Sequence, residues 1–303
     1  MRKVSILFIT NKIDHYVEKS TTYLISELEK QSNLMLWHDH GDIHSILNNF
    51  STKPDFILLN DFHPTYGRYI TGLNQIKIPI GMIMHDLHYK KGARTKLMRE
   101  IRPSLIFTHY RDAFLTFYPE FQDQMIWFPH HVPEHIFFDY QLEKEIDVLM
   151  IGSLIPKLYP LRNHIYEQMK QRKGFIYHTH PGYGKEGDRG ITGEGYAREM
   201  NRSKIFVTCH SIYQYPLLKY MESLACHTLL LAPATRELED LGFVDQETFV
   251  AIDETNFSER ATQYLSSETE RNNIAKRGYE MVRKKHLTSV RVAEMIQHIQ
   301  QVI

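Results

Sequence analysis

The chain has 303 residues, enough for two domains that each bury a core of their own, so it is no minimal disulfide- or metal-stapled scaffold. Thirty-six Lys+Arg against 36 Asp+Glu give a formal charge of zero, which removes the broad positive field used in non-specific nucleic-acid or anionic-membrane binding but leaves room for a local basic cleft. At 42% hydrophobic and 24% charged the chain is an ordinary globular sequence, and its one unusual count is 18 His.

The start, Met1-Arg2-Lys3 and an apolar run over 4–9, imitates a signal peptide only in outline. The run is short, no small-residue cleavage site follows, and Asn11, Lys12 and Asp14 come next, so it reads as a buried first strand. Further apolar runs at 34–37, 56–59, 78–84, 105–108 and 125–128 alternate with segments of helical length and amphipathic spacing, such as 16–30 and 92–101. Strand alternating with helix predicts a parallel sheet covered on both faces. The rhythm pauses over 129–145, a stretch with two prolines that reads as an interdomain connection. It restarts with strands at 147–151, 175–177, 204–208, 228–231 and 248–252, and helices at 159–172, 194–201, 215–225 and 235–241. The tail from Asn256 is helical, with breaks expected at Gly278 and around Leu287. The expected fold is α/β with two doubly wound Rossmann-like domains facing across an interdomain cleft. Residues 1–135 form the first, 136–286 the second, and 287–303 a helix packing back toward the first.

Doubly wound sheets bind ligands beyond the carboxyl ends of their strands, and there the unusual residues collect. His85-Asp86-Leu87-His88 follows one strand, Gly152-Ser153 with Lys157 and Arg162 another, and His178-Thr179-His180-Pro181-Gly182-Tyr183 a third. Cys209-His210-Ser211 through Gln214, Tyr215, Pro216 and Leu217 leads into a helix carrying Lys219 and Glu222. Cys209 and Cys226, the only cysteines, match neither a disulfide framework nor a CxxC motif, so a reducing cytoplasm is the expected compartment. No run of 18 apolar residues exists, and no integral membrane segment is expected.

From Asp147 onward the chain resembles the carboxy-terminal domain of GT-B glycosyltransferases of the group 1 (family 4) type, on the branch that includes the CgeB-like spore-maturation proteins. The matching pieces are Asp147-Val-Leu-Met-Ile-Gly-Ser153, His180-Pro-Gly-Tyr183, Tyr196-Ala-Arg-Glu-Met-Asn-Arg-Ser-Lys-Ile205, Lys219-Tyr-Met-Glu-Ser-Leu-Ala225 and the tail from Arg271 through Gly278 and His286 to Arg291, five in the family's order. In the first half only Trp127-Phe-Pro-His-His-Val132 and His85-Asp86 are similar to it.

The resemblance implies a glycosyltransferase that takes a sugar from a nucleoside diphosphate donor, UDP-sugar by expectation, with retention and without a metal. Glu222 matches the second glutamate of the family's Glu-x7-Glu motif and would hold the ribose diol. The first position falls on Gln214, an amide that can hold sugar hydroxyls but supplies no negative charge. Lys157 and Arg162 correspond to the pair that neutralises the leaving diphosphate, helped by free amides of a helix opening at Tyr215. Lys219 would either pair with Glu222 or reach phosphate. His85 matches the first-domain histidine near the donor sugar, where a neutral imidazole can donate to a hydroxyl. Gly152, Ser153, His180, Tyr183, Tyr196, Tyr215, Pro216 and Leu217 complete the expected donor site. No cofactor is implied, because the nucleotide sugar is a substrate.

Two other classes stay open. The histidine pairs at His38-Asp39-His40, His85/His88, His130-His131 and His178/His180 could serve a metal-dependent hydrolase, although no HExxH or DxD motif accompanies them. A chain with Gln214 in the motif could instead be a non-catalytic binding or coat-associated protein. The acceptor, whether small molecule, protein, glycan or modified nucleic acid, and the oligomeric state are not written in the sequence. The loop from Asn60 to Gly67 is a candidate acceptor contact.

Overall fold

A computed structural model describes residues 2–12, 17, 19–61, 66–180 and 191–303. The chain forms two compact units, Met1–Pro129 with Ser289–Ile303 and His130–Thr288. The division falls at Pro129 rather than at 135 because the next residues already bond within the second unit. Val132 bridges Leu287, its N–H donates to the His286 carbonyl at 2.9 Å, and His131 Nδ1 meets Thr288 Oγ1 at 3.0 Å.

The first unit runs β1 (Ser5–Ile9), α1 (Ser20–Gln31), β2 (Asn33–Trp37), β3 (Gly41–Asp42), α2 (Ile43–Leu47), β4 (Phe56–Asn60), β5 (Ile70–Thr71), β6 (Ile80–Met84), α3 (Lys91–Ile101), β7 (Leu105–Thr108), α4 (Arg111–Phe117) and β8 (Met125–Trp127). Six strands pair in parallel in the order β2-β1-β4-β6-β7-β8, and β3 with β5 makes a separate small sheet. β1, β4 and β6 are buried at every position, which is why they appear in sequence as continuous apolar runs instead of alternating ones. Ile6, Phe8, Leu28, Phe56, Leu58 and Phe107 share one core with Val292, Met295 and Ile299 of the C-terminal segment.

The second unit runs β9 (Ile146–Ile151), α5 (Pro160–Met169), β10 (Phe175–His178), α6 (Gly193–Asn201), β11 (Ser203–Val207), α7 (Leu218–Ala225), β12 (Leu229–Ala232), α8 (Arg236–Leu241), β13 (Val250–Ala251), α9 (Phe257–Ser266) and α10 (Glu268–Lys285); α11 (Thr288–Gln300) follows. Its parallel sheet has the order β10-β9-β11-β12-β13. Two expectations are corrected here. The helix expected from Tyr215 begins at Leu218, because Pro216 disfavours helical backbone at Tyr215 and Gln214 is left-handed at φ 56°. Gly278 does not break the tail; α10 passes through it, and the break comes at Ser267. A Cβ at Gly278 would lie 2.3 Å from the Thr248 carbonyl and 2.7 Å from Leu224 Cδ2, so the glycine lets α10 press against α7.

Each sheet reverses strand order once. In the second unit β10 lies to one side of β9 and β11 to the other, so the loops leaving β9 and β11 diverge; in the first unit the same holds for β1 and β4. Such switch points open a crevice at the carboxyl end of the sheet.

Candidate functional site

Arg162, on α5, spans the second unit's switch point. Its Nη1 donates to the Ser153 carbonyl at 3.1 Å, beyond β9, and its Nη2 to the Cys209 carbonyl at 2.9 Å, beyond β11, with Thr208 Oγ1 at 3.5 Å. The guanidinium lies on the Tyr159 ring at 4.0 Å and covers Gly152, where a Cβ would meet Nη1 at 2.8 Å. That close approach explains the glycine at 152. Tyr177, from β10, donates its hydroxyl to the Gly152 carbonyl at 2.8 Å and fixes the same turn.

Arg162 is only 2% exposed, yet all its acceptors are neutral. No carboxylate lies within ion-pair distance among the described residues, and its Nε has no hydrogen-bond partner there. A buried guanidinium without a counter-charge is costly, and an anion reverses that cost.

Lys219 enters the same region from the first turn of α7. Its Nζ donates to the Ile151 carbonyl at 2.8 Å and does not pair with Glu222. The side chain keeps some exposure while the ammonium is enclosed by protein. Burial, then the Arg162 charge, lowers its pKa to about 7, with Glu222 and Cys209 pulling the other way. Burial, then the charges of Lys219 and Arg162, lowers His180 to about 4, so its ring is neutral at pH 7. Three groups able to carry positive charge therefore converge on the ends of β9, β10 and β11.

One turn along α7, Glu222 is 7% exposed and its Oε2 accepts the Tyr196 hydroxyl at 3.1 Å. Burial and then the Glu222 charge push the Tyr196 phenol well above its ordinary value, so it stays a donor. Phe137 closes on Tyr196 edge to face at 6.0 Å.

The other expected residues are spread more widely. Gln214 is exposed, with its N–H on the Ser211 carbonyl at 2.9 Å, and Tyr215 is buried and stacked on Tyr213 at 5.5 Å. Pro216 and Leu217 belong to the turn before α7, Leu217 being its N-cap. The helix N-terminus expected at Tyr215 thus lies at Leu217–Leu218. Lys157 is exposed on the loop after β9 and makes no hydrogen bond or ion pair among the described residues. Tyr183 lies outside the described residues, as do 62–65 of the candidate acceptor loop.

In the first unit His85 follows β6. Its backbone N–H donates to Asp61 Oδ2 at 3.0 Å, its Nε2 meets Asn60 Oδ1 at 2.9 Å, and its ring stacks on Tyr66 at 4.3 Å. Asp61 in turn makes a bidentate pair with Arg94 at 2.6 and 2.8 Å, both side chains fully buried. Arg94, Tyr159 and Tyr177 were not singled out by sequence, and Asn60 and Asp61 only as part of the candidate acceptor loop. A positive φ at Asp61 has no sequence mark, and the pairs they form are 24 to 33 residues apart in the first unit.

Among the described residues no group of three or more His, Cys, Asp or Glu is arranged to hold a metal ion. The histidines of the pairs have other partners: His178 Nε2 meets Glu199 Oε1 at 2.9 Å, and His38 Nδ1 meets the Thr10 carbonyl at 2.9 Å. Both cysteines are free and buried. No helix among the described residues is long and apolar enough to cross a membrane.

Residues 161–297 match the family described as glycosyl transferase-like. The whole chain superposes on sucrose-phosphate synthase from Thermosynechococcus elongatus with a TM-score of 0.73 at 12% identity, covering 99% of each chain. The chain has the GT-B fold. HepE of Anabaena, solved with UDP and glucose, gives 0.65 at 8% identity over 98% of this chain and 100% of its own. An alpha-glucosyltransferase solved with UDP and a 13-mer DNA containing a HMU base gives 0.61 at 12% identity over 99% of this chain and 100% of its own. No curated protein matches the chain by sequence. The family match begins on α5 and so takes in Arg162, Lys219 and Glu222 of this GT-B protein.

Proposed function

We propose that this GT-B protein transfers a sugar from a UDP-sugar to an acceptor. The observation that carries the proposal is the buried Arg162 at the switch point of the second sheet, beside Lys219 and with no carboxylate within ion-pair distance among the described residues. A diphosphate supplies the missing negative charge. Arg162 and Lys219 bind it, and Lys157 reaches it from the loop after β9. These cations, with the amides of Leu218 and Lys219 that open α7, stabilise the charge that builds on the diphosphate as the glycosidic bond breaks. Glu222, steadied by the Tyr196 hydroxyl, accepts from the ribose hydroxyls. Gln214 holds the sugar, His85 meets a substrate hydroxyl at the first unit's own switch point, and the transfer retains configuration with no enzymic nucleophile and no metal. The UDP held by HepE and by the alpha-glucosyltransferase supports the choice of nucleotide.

The test is a melting curve with and without UDP-glucose. Ligand at 100 times its Kd adds about 2.7 kcal/mol of stability, and Glu222→Ala together with Arg162→Met removes the shift. No shift at millimolar nucleotide overturns the proposal. A second reading has one observation behind it, the exposed Gln214 in place of a motif carboxylate: a binding protein that does not turn over. Release of free glucose from UDP-glucose by the purified protein separates transferase from binder, and the product's anomeric configuration by NMR tests retention.

A further inference from the structure

The first unit's switch point holds a polar chain that runs from β1 through β4 to His85. Asn60, at the end of β4, directs Nδ2 to Thr10 Oγ1 at 2.9 Å and to Thr21 Oγ1 at 3.1 Å, and its Oδ1 to His85 Nε2 at 2.9 Å. Asn60 is 1% exposed, so every one of these atoms needs a partner. The Thr10 hydroxyl directs its own proton at the carbonyls of Asn11 and Tyr66, both at 3.4 Å. Thr10 therefore accepts from the amide, which places NH2 toward the threonines and the carbonyl oxygen toward the imidazole. An amide oxygen can only accept, so the proton of the neutral ring sits on Nε2.

We infer that Asn60 is a positioning residue that locks His85 as the Nε2–H tautomer, so that its Nδ1 presents a lone pair to a substrate hydroxyl. Nδ1 has no hydrogen-bond partner among the described residues and His85 is half-buried, which leaves the atom reachable. Sequence alone suggested an imidazole that donates to a sugar hydroxyl; the network assigns the opposite polarity, an acceptor. Asp61 and Arg94 fix the main chain that carries the ring, through the His85 N–H on Asp61 Oδ2 and Arg94 Nη1 on the Asp86 carbonyl. Tyr118 adds its hydroxyl to the Leu87 carbonyl at 2.8 Å. The titratable and charged groups near the ring are Tyr66, stacked at 4.3 Å, His109, tilted at 5.1 Å, and the Asp61–Arg94 pair. That the hydroxyl belongs to a sugar rests on the proposed glycosyl transfer; the tautomer does not.

The experiment is a long-range proton–nitrogen NMR spectrum of the protein with nitrogen-labelled histidine. The His85 signal is assigned by its loss in His85→Gln and independently by its ring-current shift in Tyr66→Leu. The expected result is a neutral ring protonated on Nε2. In Asn60→Ala no acceptor faces Nε2, and the signal is expected to move toward a mixture of the two neutral tautomers. A merely structural role leaves the tautomer unchanged. A proton on Nδ1 in the unmodified protein, or a ring that stays wholly Nε2–H in Asn60→Ala, overturns the inference. If the tautomer and its loss in Asn60→Ala appear but no sugar is transferred, the function assignment falls and the positioning role stands.

Discussion

Each unit buries one arginine near the carboxyl ends of its strands, and the two are handled in opposite ways. Arg94 in the first unit is fully buried against Asp61, with two short hydrogen bonds and matched charge. Arg162 in the second is 2% exposed and bonded to carbonyls and a hydroxyl, with no carboxylate partner among the described residues. A buried ion pair that is complete in itself offers a ligand nothing, and its task is to hold the loop bearing His85. A buried cation left without a counter-charge is an incomplete pair. The same residue type at the same depth is thus paired with a carboxylate in one unit and, among the described residues, bonded to neutral acceptors alone in the other, and the proposed diphosphate binding rests on that difference.

Substitution breaks this comparison most sharply through stability. Arg94→Met leaves the Asp61 carboxylate buried and alone, so unfolding in urea is expected to show a loss of about 3–5 kcal/mol. Adding Asp61→Asn should restore part of it, since Asn tolerates the left-handed backbone there and still accepts the His85 N–H. Arg162→Met removes a charge with no carboxylate partner among the described residues, and only its hydrogen bonds to neutral acceptors go with it, so the expected loss is about 1.5–3 kcal/mol. Equal losses for the two arginines would erase the distinction. Nucleotide binding should rank them the other way. Calorimetry with UDP is expected to show Arg162→Met weaker by roughly 2–4 kcal/mol, about 30- to 1,000-fold in Kd, and the Arg94 variant nearly unchanged wherever it is folded.

Legibility in the sequence followed the same division between local and distant. Strands such as 56–59 and 105–108 were visible because parallel strands buried on both faces are unbroken apolar runs. Helix ends were less so: Gly278 looks like a stop, and only the Thr248 carbonyl 2.3 Å from its absent Cβ shows why a glycine belongs inside α10. Arg162, Lys219 and Glu222 could be picked out because each lies just after a strand or early on the next helix, in a familiar order. Their state could not. Whether an arginine has a carboxylate beside it depends on contacts such as Asp61 with Arg94, which no local pattern records. Tyr196 was marked by its motif, but its bond to Glu222 across 26 residues was not.

The incomplete pair also predicts a pH dependence. With the Lys219 pKa lowered to about 7 in the free protein, the ammonium is charged below pH 7 and increasingly neutral above it. A bound diphosphate favours the charged form and raises that pKa. UDP-glucose affinity is therefore expected to be flat below about pH 6 and to fall between pH 7 and 9, by up to tenfold per unit for one linked proton. Binding at pH 8 should take up a proton, which calorimetry in buffers of different ionisation enthalpy measures. Lys219→Arg keeps its charge throughout and should flatten the curve. Affinity that is level from pH 6 to 9 in the unmodified protein would place Lys219 away from the phosphates.

The smallest expected effect concerns the carboxylate one turn further along α7. Tyr196 donates to Glu222 Oε2 at 3.1 Å in a buried setting, and its phenol is held far above its ordinary pKa, so the proton stays on the tyrosine. Tyr196→Phe removes one hydrogen bond to a charged acceptor without emptying the space, and UDP affinity should drop by about 0.5–1.5 kcal/mol. The loss should be specific to the sugar edge of the nucleotide. If Glu222 meets the ribose, the preference for UDP over its 2′-deoxy form narrows in Tyr196→Phe, since a less firmly held carboxylate discriminates less between one hydroxyl and two. If Tyr196 only packs against Phe137, both nucleotides weaken together and the preference is unchanged, and Glu222 then belongs with Asp61 as a structural carboxylate.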